Sequence, residues 1–207
     1  ESTPKNRLNF EGHYFKLSEA YLQIKIENPC IWVAASSPQT QEVVANYGDG
    51  WIPTAYTPEL YKQHLNYIKE KAKNRPIETA YEIFVSISKN RSKAENNIIP
   101  IGSTLCLKKE LLTKYDVELP EGLEFNKRIK LSLYEMKKDA AKLQSVISQI
   151  PLDLIQQVTA YGTPDDCIES INRFAKVGVE HFVIEFLGPD YFDAIRLFTD
   201  EVIPHFR

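Results

Sequence analysis

The chain has 207 residues, 43% of them hydrophobic and 26% charged, a globular composition that excludes wholesale disorder and gives enough core for one domain. Its 25 Lys and Arg against 28 Asp and Glu leave a net charge of −3, which excludes a basic nucleic-acid-binding module. No apolar stretch approaches the roughly 18–20 residues of a membrane span, and the polar segment Glu1 to Arg7 lacks the apolar core of a secretory leader, so the chain is expected in the cytoplasm.

In chain order, Phe10 to Leu17 alternates enough for a hairpin or a loop strand. Cys30 to Ala35 (CIWVAA) is a short buried-strand run. Ser37 then suits a helix N-cap and Pro38 the first helical position. Val43, Val44 and Tyr47 give that helix its apolar face, and Gly48 its stop. Trp51 to Ala55 reads as a second strand. Thr57 and Pro58 open a second helix, with Leu60, Tyr61, Leu65, Ile68 and Ala72 at helical spacing. Ala80 to Ser88 (AYEIFVSIS) is a third strand, rich in β-branched and aromatic residues.

A long polar, helical stretch interrupts the alternation from about Lys89 to Val158. Within it Leu105 to Tyr115 and Asn126 to Ile150 read as helices, separated by the breaker Leu119-Pro120-Glu121-Gly122. Alternation resumes at Thr163-Pro164-Asp165-Asp166, a helix start in capping-box style. Ile168, Ile171, Phe174 and Ala175 form its face. His181 to Leu187 is the fourth strand, and Gly188-Pro189-Asp190 opens a last helix that ends at Pro204. Strands separated by helices imply right-handed crossovers and a parallel sheet. Four such units are half of an eight-stranded barrel, or a small open sheet of the doubly wound kind.

Ligands of parallel α/β folds bind at the carboxyl ends of the strands. Ala34-Ala35-Ser36-Ser37 is the first such end. Small residues there admit a ligand to the backbone, and the helix that follows offers amides and a positive dipole end to a phosphate. Ser37 is equally an ordinary N-cap. At the second end, Trp51 either stacks on a flat ring or packs in the core, and the Ile52 amide and Thr54 hydroxyl are further donors. Asp49 precedes its strand, at the opposite end, and reads as a turn residue; His181 is demoted on the same ground. Glu185 lies deep in the fourth strand, as a functional acid or as half of an interior ion pair. His13 reads as a surface residue, and Lys108-Lys109 and Lys137-Lys138 as solvated helix faces. Cys30, Cys106 and Cys167 and the four scattered histidines show no metal-ligand or disulfide spacing. No nucleophile motif or phosphate-binding glycine loop is present, and catalytic residues are not assigned.

The ordered set of segments resembles the luciferase-like monooxygenase superfamily, with its deazaflavin-dependent reductases as the nearest branch. The stretches that carry it are Phe10-Glu11-Gly12-His13-Tyr14-Phe15, Pro29 to Pro38 (PCIWVAASSP), Ala45 to Ile52 (ANYGDGWI), Gly162 to Cys167 (GTPDDC), Gly178 to Val183 (GVEHFV), Gly188-Pro189 and Val202 to Arg207 (VIPHFR). The resemblance implies one luciferase-like partial-barrel domain over 1–207. It would comprise strands five to eight of a (β/α)8 TIM barrel, with a helical insert at about 89–158. It implies a flavin- or deazaflavin-dependent oxidoreductase, or the cofactor-binding half of one, acting on a small-molecule substrate. The cofactor would be coenzyme F420, with FMN as the alternative, and its phosphate is expected at Ala35, Ser36, Ser37, Trp51 and Ile52. Ser37 departs from the glycine that the family often carries there. The partner expected is a second copy of the chain, or another chain supplying the N-terminal half-barrel. The competing function is a non-catalytic partial barrel that binds a flavin or serves assembly.

Overall fold

Three hydroxyl–proline pairs set where three of the four longest described helices begin. In the computed structural model, which describes residues 4–23, 27–73, 75–105, 108–118 and 140–207, Ser37, Thr57 and Thr163 are N-caps. Their side chains accept from the amides of Thr40, Leu60 and Asp166, and a proline follows each of them. The caps satisfy amides that a helix start leaves open, and proline there gives up no helical hydrogen bond.

The described chain falls into two units, Glu1–Ile31 and Trp32–Arg207. In the first, β1 (Leu8–Glu11) and β2 (Lys16–Ala20) pair antiparallel, with Phe10 opposite Leu17. This is the hairpin that alternation predicts. His13 lies in its turn, exposed, with its ring edge-on to Tyr14.

The second unit is a parallel sheet with flanking helices, a partial (β/α) barrel-like arrangement. Its strands are β3 (Trp32–Val33), β4 (Gly50–Trp51), β5 (Glu78–Ile87), β6 (Ala160–Gly162) and β7 (His181–Phe186). Helix α1 (Pro38–Tyr47) joins β3 to β4, and α2 (Pro58–Ala72) joins β4 to β5. Between β5 and β6 come α3 (Arg91–Ile98), the short α4 (Gly102–Leu105) and α5 (Lys109–Lys114), then α6 (Ala140–Ile147) and α7 (Leu152–Val158). Helix α8 (Pro164–Ala175) precedes β7, and α9 (Tyr191–Glu201) follows it. Of the predicted Asn126 to Ile150 helix, residues 126–139 lie outside the described residues, as do the breaker at 119–122 and the Lys137-Lys138 pair.

Sequence periodicity predicts four parallel strands, and the structure has a fifth. β6 is only three residues long, too short for any alternation to show. Gly162 ends it at φ +124°, where a Cβ would stand 2.3 Å from Asp166 Oδ2. The backbone of β5 shows where β6 fits. The amides of Glu78, Glu82 and Ser88 donate to Asp49, Pro53 and Gly162, whereas the Thr79 and Val85 carbonyls accept from Glu180 and Leu187. Alternate β5 residues thus face opposite edges. β4 and then β6 share one edge, and β7 holds the other.

The same alternation separates two faces. Tyr81, Ile83, Val85 and Ile87 of β5 join Tyr61, Leu65 and Ile68 of α2, Phe174 of α8 and Phe198 of α9 in the main core. The helices between β5 and β6 build a second core around Ile98, Leu105, Leu112, Val146 and Leu154, which includes Ala55 and Tyr161 from the sheet ends.

Asp166 ties the two cores' helices together. Its carboxylate accepts from the Thr163 amide (2.8 Å) and hydroxyl (2.9 Å) at the head of α8, and pairs with Arg91 at the head of α3. Burial pushes the carboxyl up, but the Thr163 hydrogen bonds and Arg91 outweigh this and hold it below its ordinary value. A depressed carboxyl contributes stability that is present above about pH 4 and lost as pH falls through the folded-state value. Asp166→Ala is expected to cost about 2 kcal/mol at pH 7. It should also flatten the acid limb of stability, measured by urea unfolding between pH 7 and 2; an unchanged acid limb would show that the carboxylate is not held by this network.

Candidate functional site

The carboxyl ends of β3 and β4 bring together most of the site residues that the sequence singles out. Ala35 is fully buried, and its carbonyl accepts from Trp51 Nε1 at 2.9 Å. Trp51 is itself fully buried, stacked on Tyr61 with centroids 4.8 Å apart and tilted against Tyr56 at 6.0 Å. Of the two roles open to Trp51, the structure shows the packing one: the indole is the floor beneath the strand ends. The Ile52 amide donates to the Val33 carbonyl (3.2 Å), completing the β3–β4 ladder. The Thr54 hydroxyl donates to the Glu82 carbonyl (3.2 Å). Neither is the open donor that the sequence suggests, because parallel pairing engages both.

Ser37 and Ser36 part company. Ser37 is engaged in a capping box: its hydroxyl accepts from the Thr40 amide, and its own amide donates to Thr40 Oγ1. Pro38 has no N–H, and the Gln41 amide closes on the Ser37 carbonyl at 2.9 Å. The first turn of α1 therefore leaves the Gln39 amide without an intrahelical partner, at the positive end of the helix. Ser36, the residue before the cap, is exposed.

Opposite Ser36 stands Lys108, which the sequence reads as part of a solvated helix face and the structure places partly buried, directly before α5. Lys108 Nζ donates to Ser36 Oγ at 3.1 Å and lies 4.3 Å from the centroid of the Tyr56 ring. The left-handed backbone of Ala55 (φ +56°) turns the chain so that the Tyr56 amide reaches Tyr81 Oη at 3.1 Å. Tyr56 then stacks on His64 of α2, centroids 5.0 Å apart, and His64 Nδ1 shares a 2.7 Å hydrogen bond with Gln41 Nε2 of α1. Burial lowers the Lys108 amine to about 8. Burial also lowers His64, against the pull of Glu110, and raises Tyr56, against a hydrogen bond with Ser36. Among the described residues no carboxylate lies within ion-pair distance of Lys108.

The sequence places Lys108 within a Leu105 to Tyr115 helix, so nothing there set it apart; the structure interrupts that helix and shows its true position. Lys108 is the residue directly before α5, at the positive end of a helix, where a cation is disfavoured. A lysine in that position needs another reason to be there.

The remaining sequence candidates lie elsewhere. The Asp49 carbonyl accepts from the Glu78 amide at the amino end of the sheet. His181 is at that same end, its ring 5.3 Å from that of Trp32. Glu185 is exposed on the sheet face turned away from the main core, on the same side of β7 as His181 and Val183. Cys30 is exposed, Cys167 is buried, and Cys106 lies outside the described residues. No group of three or more metal-ligating side chains occurs among the described residues, and no described helix is long and apolar enough to cross a membrane.

Comparison with known proteins adds to this geometry. The family model described as luciferase-like monooxygenase matches residues 3–181. A 5,10-methylenetetrahydromethanopterin reductase of Archaeoglobus fulgidus is 27% identical over 99% of this chain and 63% of its own length. A phthiodiolone/phenolphthiodiolone dimycocerosates ketoreductase of Mycobacterium bovis is 25% identical over 94% of this chain and 54% of its own. The chain therefore spans little more than half to three-fifths of the length of these relatives. Among solved structures, the coenzyme F420-dependent tetrahydromethanopterin reductase of Methanopyrus kandleri superposes with a TM-score of 0.73 at 22% identity, covering 100% of this chain and 59% of that one. An F420-dependent secondary alcohol dehydrogenase gives 0.70 at 22% identity, over 97% and 56%. These likenesses show the fold.

Proposed function

The chain belongs to the luciferase-like monooxygenase family, and from that premise we propose that it is a flavin- or deazaflavin-dependent oxidoreductase, or the cofactor-binding part of one. Coenzyme F420 is the favoured cofactor and FMN the alternative. The observation that carries this reading is the Ser36 hydroxyl, exposed at the end of β3 beside the start of α1 and met by the Lys108 ammonium. An anionic group fits there. The donors are a hydroxyl, a helix-start amide and a cation, and no described carboxylate competes for the cation.

When bound, the cofactor supplies the hydride chemistry through its ring. The chain's own residues bind and orient it. Ser36 and the Gln39 amide hold the phosphate. Ser37 shapes the first turn of α1. Ala35 allows close approach, with its carbonyl fixed by Trp51, and Trp51 and Ile52 keep β3 and β4 in register beneath the site. The named activities of the relatives support a small-molecule substrate that gives or takes a hydride.

The match to about half of each relative supports the further reading that this is part of a (β/α)8 barrel, in which β3, β4, β5 and β7 would stand for strands five to eight and the three-residue β6 would be an addition. Among the described residues the outer edges of β3 and β7 have no neighbouring strand, and unpaired edges favour association. The barrel would be completed by a second copy or by a chain carrying the other strands. A partial barrel that binds a flavin without turnover is the second reading, and the same open edges favour it.

A fluorescence titration tests the cofactor site. The purified chain is expected to bind F420 or FMN saturably, and Ser36→Asp/Ser37→Asp is expected to weaken binding at least tenfold. Aspartate at position 37 remains a good N-cap, so the helix should persist while the added charge repels the phosphate. Unchanged affinity in a folded double variant would place the phosphate elsewhere.

A further inference from the structure

We propose that the sheet face turned away from the main core is the docking surface for a polypeptide that presents lysine or arginine side chains to it, and that charge keeps a second copy of this chain off that surface. The inference rests on the partial-barrel reading above and deepens it, by choosing between the two partners that the reading leaves open.

Register fixes which side chains share the face. In a parallel sheet, paired residues point to the same side and neighbours along a strand to opposite sides. Trp32, Gly50 and Glu78 are paired across β3, β4 and β5. Glu82 and Phe84 of β5 pair with Val183 and Glu185 of β7. Their neighbours along the strands, among them Trp51, Ile83 and Ile184, go to the main core with α1, α2, α8 and α9. The opposite face is thus the inner side of the partial barrel. The second core takes Phe84 and Tyr161 from it. The rest is open: Glu78, His181 and Glu185 are exposed, and Val183 keeps 43% of its surface in water. An apolar strand residue left open between two unpaired sheet edges marks a surface that another chain covers.

Charge then decides what the cover is. Glu78, Glu82 and Glu185 all lie on this face, and none of its described strand residues is lysine or arginine. Trp32 Nε1 reaches across Gly50, where a Cβ would stand 2.7 Å from the indole, and donates to Glu78 Oε2 at 2.8 Å. That bond serves one oxygen and leaves the charge unbalanced. Glu185 is diagonal to Glu82, with backbones roughly 8 Å apart by strand spacing and rise. Among the described residues, no cation forms an ion pair with any of the three. Water solvates these carboxylates while the face is open. Under a cover they lose that hydration, and only an opposite charge compensates. A second copy would set its own three glutamates against these three, with His181 of each copy as the described base on the face. Strands carrying lysine or arginine would give each carboxylate a charge-assisted partner.

Sedimentation velocity of the full chain over a range of concentrations tests this. The triple variant Glu78→Gln/Glu82→Gln/Glu185→Gln keeps side-chain size and an acceptor for Trp32, and is expected to self-associate at least tenfold more tightly than wild type, because like-charge repulsion is gone. The cationic probe is a copy carrying Glu82→Lys/Glu185→Lys, which leaves the bond between Trp32 and Glu78 in place. Mixed with wild type, it is expected to form a hetero-pair at least tenfold tighter than wild type forms with itself. Added salt should weaken the mixed pair and strengthen wild-type self-association, the opposite signs of screened attraction and screened repulsion. Urea unfolding establishes that each variant is folded. A wild-type dimer as tight as that of the glutamine variant would overturn the inference and leave the partial-barrel reading standing. So would a glutamine variant that dimerises while the lysine probe pairs with wild type no better than wild type with itself. Folded variants that associate in no combination would show that the face is not an interface, and would overturn the partial-barrel reading as well.

Discussion

Trp51→Ala is expected to remove about 3–5 kcal/mol of stability, the range for deleting a fully buried indole from a core that relaxes only in part. Trp51 is wholly excluded from solvent, stacks on Tyr61 and is the hydrogen-bond donor to the Ala35 carbonyl. Its loss would open a cavity directly under the ends of β3 and β4 and leave that carbonyl buried without a partner. Trp51→Phe separates the two contributions. It keeps a ring on Tyr61 and loses only the N–H, at an expected cost of about 1–3 kcal/mol for the unsatisfied carbonyl. Urea unfolding measures both variants. If Trp51→Ala cost no more than Trp51→Phe, the stacked aromatic floor would contribute nothing. Cofactor affinity should follow the same order, because Ala35 leads directly into Ser36.

Tyr81→Phe is expected to cost about 2–3 kcal/mol although it removes a single oxygen, because buried polar groups that lose their partner bear the full desolvation penalty. The Tyr81 hydroxyl accepts from the Tyr56 amide at 3.1 Å and lies 2.9 Å from both the Tyr56 and Val158 carbonyls. With one proton it donates to one carbonyl at a time. The phenylalanine ring would keep the stack on Phe174, where the centroids are 4.2 Å apart, so the loss reports the hydroxyl. Burial raises the Tyr81 phenol far above its ordinary value, so the folded hydroxyl stays protonated where an unfolded tyrosine ionises. Its contribution is therefore complete at neutral pH and declines above about pH 10. Tyr81→Phe should be destabilised evenly from pH 6 to 9 and should lose less stability than wild type at higher pH. Because the hydroxyl fixes Tyr56, the variant should also weaken the contact between Lys108 and the Tyr56 ring, read as lower cofactor affinity in the fluorescence titration. A variant as stable as wild type would show that the three backbone groups find other partners.

Helix starts were readable from single residues. Ser37-Pro38, Thr57-Pro58 and Thr163-Pro164 act locally: a short hydroxyl side chain reaches an amide three residues on, whatever the rest of the chain does. The long strand β5 was readable for a related reason. Its ten residues alternate between the main core and the opposite face, long enough for a period of two to show. The family, too, was legible, because a set of short motifs in a given order needs no contact between them to be recognised.

The site was legible only in outline. Strand-end logic led to Ala35, Ser36 and Ser37, but it could not tell which donors were open. The Ile52 amide and Thr54 hydroxyl look available in one dimension and are engaged once β3, β4 and β5 lie side by side. Trp51 offers a flat ring in the sequence and a buried one in the fold. β6 went unread because three residues carry no period, and its place on β5 depends on a strand more than seventy residues earlier.

Local chemistry thus determined the helix caps, the alternation of strand and helix, and the strand end to examine. Tertiary structure decided which of those polar groups remain open to a ligand, and it brought Lys108 to Ser36 across 72 positions of chain. The physical reason is range. Capping and periodicity are interactions between near neighbours in sequence. The protonation of a half-buried amine depends on what surrounds it in space, and on which charges fail to reach it.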